Sequence, residues 1–138
     1  MAKKEKVTKQ TKKLEKKKKN LVTIASVSKV IINCTYNNTI ISITNLKGDL
    51  ICWGTSGIVG FKGAKRSTPY AATLCAEDIA RRALEKGVES VDIITKGPGI
   101  SKISAIKALK QAGLKIVSIY DKTPIPHNGC RSRKRRRN

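Results

Sequence analysis

The sequence predicts an α/β protein built around one mixed five-stranded sheet. The first observation is a run of β-branched residues with a period of two, broken twice by turn residues. The second is a pair of stretches with helical apolar spacing, each followed by a short apolar run. With 138 residues and 39% hydrophobic composition, the chain suffices for one domain with a single modest core. We expect a disordered lysine-rich tail over residues 1–20, one domain over 21–122 and an extended basic tail over 123–138.

Three predicted strands open the domain and form two successive hairpins. The first strand is expected over Lys29–Tyr36 and the second over Thr39–Asn45. Asn37-Asn38 links them and favours a tight turn, because asparagine tolerates positive φ. Lys47-Gly48-Asp49 makes the second turn, after which the third strand is expected over Leu50–Thr55.

The first helix is predicted to follow a glycine-rich basic stretch. Thr68 suits the N-cap and Pro69 the first helical position, whereas Gly87 ends the helix. The positions with helical spacing on its buried face are Ala72, Cys75 or Ala76, Ile79 and Ala83. Two ion pairs are expected on its outer face, Glu77–Arg81 and Asp78–Arg82.

A second helix between two further strands completes the domain. The fourth strand is predicted over Val91–Thr95, and Ser101 is expected to cap a helix that stops at Gly113. The apolar positions of that helix are Ile103, Ile106 and Leu109. The fifth strand is predicted over Leu114–Tyr120, before Thr123-Pro124-Ile125-Pro126 excludes either regular element.

These elements predict the strand order 3-2-1-4-5, because hairpins join strands one to three and right-handed crossovers place strands four and five parallel beyond strand one. With helices packed on the sheet, this is the ribonuclease H-like topology. A metal-dependent nuclease of that topology would need clustered carboxylates for two Mg²⁺ ions. The first strand contains none, and Asp92 stands alone on the fourth. We therefore predict no catalytic residue and no enzyme activity.

Metal and cofactor sites are not expected either. The four cysteines, Cys34, Cys52, Cys75 and Cys130, form no CxxC pair, and His127 is the only histidine. Zinc usually needs close ligand pairs. The first three cysteines lie in apolar segments, which is typical of small buried hydrophobic residues rather than of a disulfide framework.

The placement of charge indicates a polyanionic partner. The chain has 30 Lys and Arg against 9 Asp and Glu, a formal net charge of +21. Residues 1–20 hold ten Lys and two Glu, and residues 131–138 hold six cations and no acid. Nucleic acid fits, because each neutralised phosphate releases counterions. An anionic membrane surface is the alternative, but neither tail has the apolar face of a membrane binder. No run of eighteen apolar residues predicts a membrane-spanning helix, and no apolar segment near the N-terminus predicts a secretory signal.

Three segments combine glycine with cations and supply the candidate RNA-binding residues. In Gly57–Arg66, glycines would let backbone N–H groups approach a phosphate next to a helix N-terminus. Lys96-Gly97-Pro98-Gly99 lies where open α/β sheets place ligands, at the carboxyl end of a strand. The third segment, His127–Arg137, offers bidentate guanidinium contacts. The candidates are Lys62, Lys65, Arg66, Lys96, Gly97, Gly99, Lys102, His127, Asn128, Arg131, Arg133, Lys134, Arg135, Arg136 and Arg137.

Other interpretations of these segments remain open at this point: a loop with solvated charges, a plain Gly-Pro-Gly turn, and a nuclear import signal at the Lys-Arg-Arg-Arg run. A free-standing protein that condenses nucleic acid is the alternative of another functional class. Aromatic residues make up only 4% of the chain. Their scarcity favours phosphate-dominated recognition of folded RNA over base stacking on a sheet face.

Several motifs closely resemble the family of the eleventh protein of the bacterial-type small ribosomal subunit. The motifs are Asn37-Asn38-Thr39, Gly60-Phe61-Lys62-Gly63, Thr68-Pro69-Tyr70-Ala71-Ala72, Lys96-Gly97-Pro98-Gly99 and Thr123-Pro124-Ile125-Pro126-His127-Asn128-Gly129-Cys130-Arg131. The resemblance covers about residues 30–137. It adds Asn37 and Asn38 to the candidate RNA-binding residues.

This resemblance implies a ribonuclease H-like protein without catalysis that binds small-subunit ribosomal RNA on the platform. It implies that the protein bridges RNA helices and forms part of the Shine–Dalgarno cleft, through which mRNA passes. Small-subunit proteins seven and eighteen are the implied neighbours, and initiation factor three docks nearby. The implied location is a bacterial cytoplasmic ribosome or a ribosome of the plastid stroma, and the composition fits both.

The sequence departs from the family pattern near two of the motifs. Ser101 and Lys102 stand where the family usually carries Gly and then Arg, which keeps the charge but loses the bidentate fork. Ser132-Arg133 replaces Pro-Pro, and Asn138 replaces Val. Asn128-Gly129 is also a candidate for isoaspartate formation, because glycine offers no Cβ to obstruct attack of its nitrogen on the Asn128 amide. The competing hypothesis is a tight turn that RNA protects.

Overall fold

The computed structural model describes residues 27–131, 133 and 134, so the tail predicted over residues 1–20, the first six residues of the predicted domain and residues 135–138 lie outside it. The strands are β1 (Val27–Cys34), β2 (Thr39–Thr44), β3 (Leu50–Thr55), β4 (Ser90–Lys96) and β5 (Lys115–Asp121). The helices are a short 3₁₀ helix (Gly63–Ser67), α1 (Pro69–Glu85) and α2 (Lys102–Gln111). The 3₁₀ helix was not predicted.

The five strands form one sheet in the predicted order β3-β2-β1-β4-β5. β1 pairs antiparallel with β2 and parallel with β4, while β2–β3 is antiparallel and β4–β5 parallel. The two inner pairs have a continuous register. Each outer pair has one irregularity, at Ile43/Thr44 opposite β3 and at Val91/Asp92 opposite β5.

Both helices pack on the same face of the sheet. Two right-handed crossovers that run in the same direction across a sheet place their helices on the same side, and the core reflects this. The buried hydrophobic residues form one core cluster between the sheet and the helices. Its strand residues include Val30, Ile32, Ile41, Ile43, Val91 and Ile93. Its helix residues include Ala72, Cys75, Ile79, Ala105, Ala108 and Leu109. Among the described residues, no helix covers the opposite face, which we call the open face.

Small side chains bring α1 close to the sheet. Four alanines of its buried face, Ala72, Ala76, Ala80 and Ala83, are fully buried. Gly54 on β3 lies under the same helix, where an added Cβ would come within 2.9 Å of Ile79 Cδ1. The helix ends as predicted, with Gly87 at φ 85° just beyond its last turn.

Two details of the helices correct the prediction. Ile103 is 65% exposed, because α2 packs through Ala105, Ala108 and Leu109 instead. Of the two predicted ion pairs, Asp78–Arg82 forms at 2.6 Å, whereas Glu77–Arg81 is absent from the described structure.

The cysteine prediction is confirmed for the core. Cys34, Cys52 and Cys75 are buried free thiols, and Cys130 is an exposed one. Burial, with a smaller contribution from Asp78, raises the pKa of Cys75 to about 12. The three buried side chains therefore act as small apolar groups at neutral pH.

Candidate nucleic-acid interface

The carboxyl ends of four strands lie at one edge of the sheet. β1, β4 and β5 are mutually parallel, and β3 has the same direction because two antiparallel pairings separate it from β1. We call this side the carboxyl edge. It consists of the described residues at and beyond these strand ends: 35–38, 56–67, 96–102, 121–131, 133 and 134. All predicted RNA-binding residues that the structure describes fall in these segments.

Hydrogen bonds join neighbouring segments of the carboxyl edge. The Gly99 N–H donates to the Cys34 carbonyl at 3.0 Å, and the Gly97 N–H donates to Thr123 Oγ1 at 3.2 Å. The Ser101 hydroxyl donates to the Ser67 carbonyl at 2.7 Å. This last bond corrects the prediction that the Ser101 side chain caps α2, since no cap bond is formed and the hydroxyl instead ties the start of α2 to the end of the 3₁₀ helix.

Gly97 and Gly99 are required by close packing against the end of β1. Gly97 has φ 98°, and a Cβ there would lie 2.2 Å from the Cys34 carbonyl oxygen. A Cβ on Gly99 would lie 2.9 Å from both the Cys34 Cβ and the Thr35 carbonyl oxygen. Both N–H groups donate within the protein, so these glycines shape the loop that presents the exposed Lys96.

The turn between β1 and β2 differs from the predicted two-residue link. It contains four residues, and neither asparagine has positive φ. The Thr35 hydroxyl holds the turn by accepting from Asn38 N at 3.0 Å, while Asn38 Oδ1 accepts from Thr39 N at 3.0 Å. The exposed side chain of Asn37 has no hydrogen-bond partner among the described residues.

Several backbone N–H groups of the glycine-rich loop form hydrogen bonds within the loop itself. The N–H groups of Ile58, Gly60 and Phe61 donate to carbonyls within residues 55–57, which leaves them unavailable to a phosphate. Thr68 caps α1 as predicted, accepting from Ala71 N at 3.3 Å. The contribution of the loop is therefore its side chains, of which Lys62 and Lys65 are exposed and make no ion pair within the described structure.

The Lys102 side chain forms hydrogen bonds to other residues of the protein. Its Nζ donates to Asp121 Oδ2 at 2.9 Å and to Thr123 Oγ1 at 3.3 Å. Asp121 also accepts the Thr123 N–H at 2.9 Å. We call these three residues the Asp121 cluster. Hydrogen bonds from Thr123 and then from Lys102 lower the pKa of Asp121 to about 2.

Beyond Thr123 the tail separates from the domain. His127, Asn128, Arg131, Arg133 and Lys134 are exposed, and the tail beyond Thr123 makes no hydrogen bond to the rest of the described chain. Asn128 has φ 53°, a left-handed conformation that asparagine tolerates, and the backbone bends here. Isoaspartate at Asn128 stays a prediction. The predicted contacts of Arg135, Arg136 and Arg137 lie outside the described residues.

Among the described residues, charge is strongly asymmetric between the two edges of the sheet. The carboxyl edge carries nine cations and one carboxylate, Asp121, which is paired with Lys102. The described turns at the opposite edge, residues 45–49, 85–89 and 111–115, carry three lysines and three acids. The high net charge of the described domain is therefore concentrated where loops and tail meet.

No group of three or more His, Cys, Asp or Glu within the described part of the chain is arranged to hold a metal ion. The helices of that part include none long and apolar enough to span a bilayer.

A mixed sheet with helices on one face, a strongly basic carboxyl edge and a basic tail are features typical of structural nucleic-acid-binding proteins. The comparisons with known proteins narrow this class. A model of the family described as ribosomal protein S11 matches residues 28–137. The small ribosomal subunit protein uS11 of Flavobacterium psychrophilum is 48% identical over 120 residues, covering 87% of this chain and 94% of that protein. The chain belongs to the ribosomal protein S11 family, a family of structural, non-enzymatic proteins of the small ribosomal subunit that bind ribosomal RNA.

Sequence reasoning missed three residues that organise this edge: Asp121, Thr123 and Ser67. In the sequence, Asp121 is only the residue that follows a predicted strand, and its role depends on the distant Lys102. The available signal was the Asp-x-Thr spacing before a proline, which is typical of a side chain that hydrogen-bonds backbone two residues on.

Replacing Gly97 with alanine should destabilise the fold more than replacing Gly60 with alanine. Both have φ 98°, but a Cβ at Gly60 meets nothing within 4 Å. Gly60→Ala should cost about 1–2 kcal/mol for its left-handed backbone. Gly97→Ala should cost about 2–5 kcal/mol, because overpacking against a carbonyl adds to the same backbone term. Urea unfolding measures both, and equal losses of stability would contradict the role of the Cys34 carbonyl.

The Asp121 cluster should open only in strong acid. Because the pKa of Asp121 is lowered from 3.8 to about 2, the stability it contributes is complete above about pH 4 and is lost as pH falls through about 2. The amide proton shift of Thr123, followed by NMR, should titrate with that midpoint. Asp121→Asn should abolish the titration. A midpoint near 3.8 in the wild-type chain would show that the cluster does not form.

Proposed function

We propose that this chain binds small-subunit ribosomal RNA through its carboxyl edge, on the platform of the subunit. The observation that carries the proposal is the charge difference between the basic carboxyl edge and the described turns of the opposite edge, whose charges balance. Phosphate contacts provide most of the affinity of such surfaces, because neutralisation releases counterions.

The described candidates divide into contact and shaping residues. The exposed contact residues are Asn37, Lys62, Lys65, Lys96, His127, Asn128, Arg131, Arg133 and Lys134. Arg66, whose Nε donates to the Gly63 carbonyl at 3.5 Å, contributes its charge from a half-buried position. Gly97, Gly99, Lys102 and Asn38 shape the surface through their internal hydrogen bonds.

Membership of the family supports a proposal for the place of the chain in the subunit. We propose that the carboxyl edge and the tail bridge RNA helices and form part of the Shine–Dalgarno cleft through which mRNA passes. Small-subunit proteins seven and eighteen would be neighbours, with initiation factor three docking nearby. The ribosome would be that of a bacterial cytoplasm, or of a plastid stroma.

A pair of matched double variants tests which edge binds RNA. Lys62→Gln with Lys65→Gln removes two charges from the carboxyl edge, and Lys47→Gln with Lys115→Gln removes two from the opposite edge. The slope of log K against log salt for a ribosomal RNA fragment should become shallower in the first variant only. The expected change is about 0.7 to 0.9 for each phosphate that the variant no longer neutralises. Equal slopes in both variants would contradict binding through the carboxyl edge.

The two tails should contribute unequally to assembly. Deleting residues 127–138 removes the arginine cluster and the exposed His127-to-Cys130 segment, so incorporation into small subunits should fall sharply. Deleting residues 1–20 removes lysines without arginine forks and should weaken affinity without changing location. Sedimentation of lysates from cells expressing each truncation measures incorporation. Equal incorporation of both would argue against a special role for the C-terminal tail.

A further inference from the structure

We propose that the open face binds unpaired RNA bases, with Trp53 and Tyr120 as stacking platforms. This inference rests on the proposed RNA-binding function and adds a second mode of contact to it. The sequence favours phosphate-dominated recognition, because aromatic residues are scarce. The placement of both helices on the other face of the sheet changes that conclusion.

A single row of side chains crosses the open face. Trp53 pairs with Ser42, Ser42 with Ile31, Ile31 with Ile94, and Ile94 with Tyr120. Their neighbours along the strands, including Ile41, Ile32 and Ile93, are fully buried on the helix side. Because side chains alternate between faces, the row lies on the open face. Four strand spacings of about 4.8 Å make it about 19 Å long, enough for several stacked nucleotides.

The aromatic rings at the two ends of the row are accessible. Trp53 is 50% exposed and Tyr120 is 53% exposed. Neither the indole N–H nor the phenol has a hydrogen-bond partner among the described residues. An accessible ring with an unused polar group suits a base, which offers a π face for stacking and a polar edge for hydrogen bonding.

Polar and cationic groups flank this apolar row. Towards the carboxyl edge, Asn33 pairs with Ile40 on one side and with Lys96 on the other. On the far side of the row, Lys29 pairs with Asp92, whose carboxylate accepts the Ser118 hydroxyl. The face therefore offers an amide for base edges and two lysines for phosphates. It is also continuous with the carboxyl edge through Lys96, so one RNA strand can pass from one to the other.

These features favour RNA over a protein as the occupant. An apolar protein surface docked on this face would bury the charges of Lys29 and Lys96. The one carboxylate nearby, that of Asp92, already accepts the Ser118 hydroxyl, so the two lysine charges would not be fully compensated. A base-bearing polyanion places stacking surfaces over Trp53 and Tyr120 and phosphates near both lysines.

The chain contains one tryptophan, so fluorescence excited selectively from tryptophan, and not from the three tyrosines, reports on position 53 alone. The full-length chain is titrated with a single-stranded RNA about twelve nucleotides long, within the site sizes of single-strand binders, and, in parallel, with inorganic polyphosphate, which has charge but no bases. RNA should quench Trp53 and polyphosphate should not. Equal quenching by both would overturn the proposal, since bases would not be required.

Binding of the same RNA, labelled with a fluorophore, is then measured by anisotropy for Trp53→Ala and Tyr120→Ala. Each should bind about fivefold to a hundredfold more weakly, the range expected for the loss of one stacked base. Ile103→Ala is the matched control, because Ile103 is also exposed but lies on α2. The loss of affinity in the aromatic variants should persist at high salt, whereas that of the Lys62 and Lys65 double variant should shrink. Circular dichroism confirms that each variant is folded.

The outcomes separate this proposal from the one on which it rests. Salt-dependent RNA binding without quenching, and with affinity unchanged in Trp53→Ala and Tyr120→Ala, would overturn base stacking and leave binding at the carboxyl edge intact. If the wild-type chain binds no RNA at all, the proposed function fails and the base-stacking proposal fails with it.

Discussion

The packing of the Gly97–Gly99 loop against the end of β1 is the constraint on which the carboxyl edge depends. The Cys34 carbonyl accepts the Gly99 N–H, and it lies so close to Gly97 that no side chain fits there. β1 is the central strand, so this packing fixes the loop relative to the whole sheet. The loop in turn positions the start of α2 and, through Thr123, the departure of the tail. A rigid core thereby orients groups that are themselves exposed.

Most of the fold could be predicted because its signals are local. Period-two alternation located the strands, and Thr68-Pro69 and Gly87 marked the ends of α1. Strand order followed from hairpins and crossover handedness. What escaped prediction depends on tertiary contact. Ile103 fits the helical spacing but points away from the core, because α2 packs through the smaller Ala105 and Ala108 instead. Ser101 could not be predicted to bond Ser67, since 34 residues separate them.

The candidate site shows the same division between local and distant information. Residue type was sufficient to select the cations of three segments, and the structure brings those segments to one edge. Residue type did not distinguish the cations that face solvent from those that form ion pairs within the protein. Lys65 and Lys102 are indistinguishable in sequence, yet Lys65 is exposed and Lys102 is held by Asp121. The glycines were selected correctly as special positions, but their N–H groups bond within the protein.

The two register irregularities affect how readily the outer strands of a chain without bound RNA could pair with strands of another copy. Both lie in the outer strand pairs, beside the edge strands β3 and β5, and none lies in the inner pairs. Bulges at sheet edges increase local twist and make an edge a poor template for another strand. Repulsion between chains of charge +21 acts in the same direction. Backbone geometry at the outer strands and net charge therefore both disfavour strand pairing between two copies of the chain, and an RNA partner would neutralise only the charge.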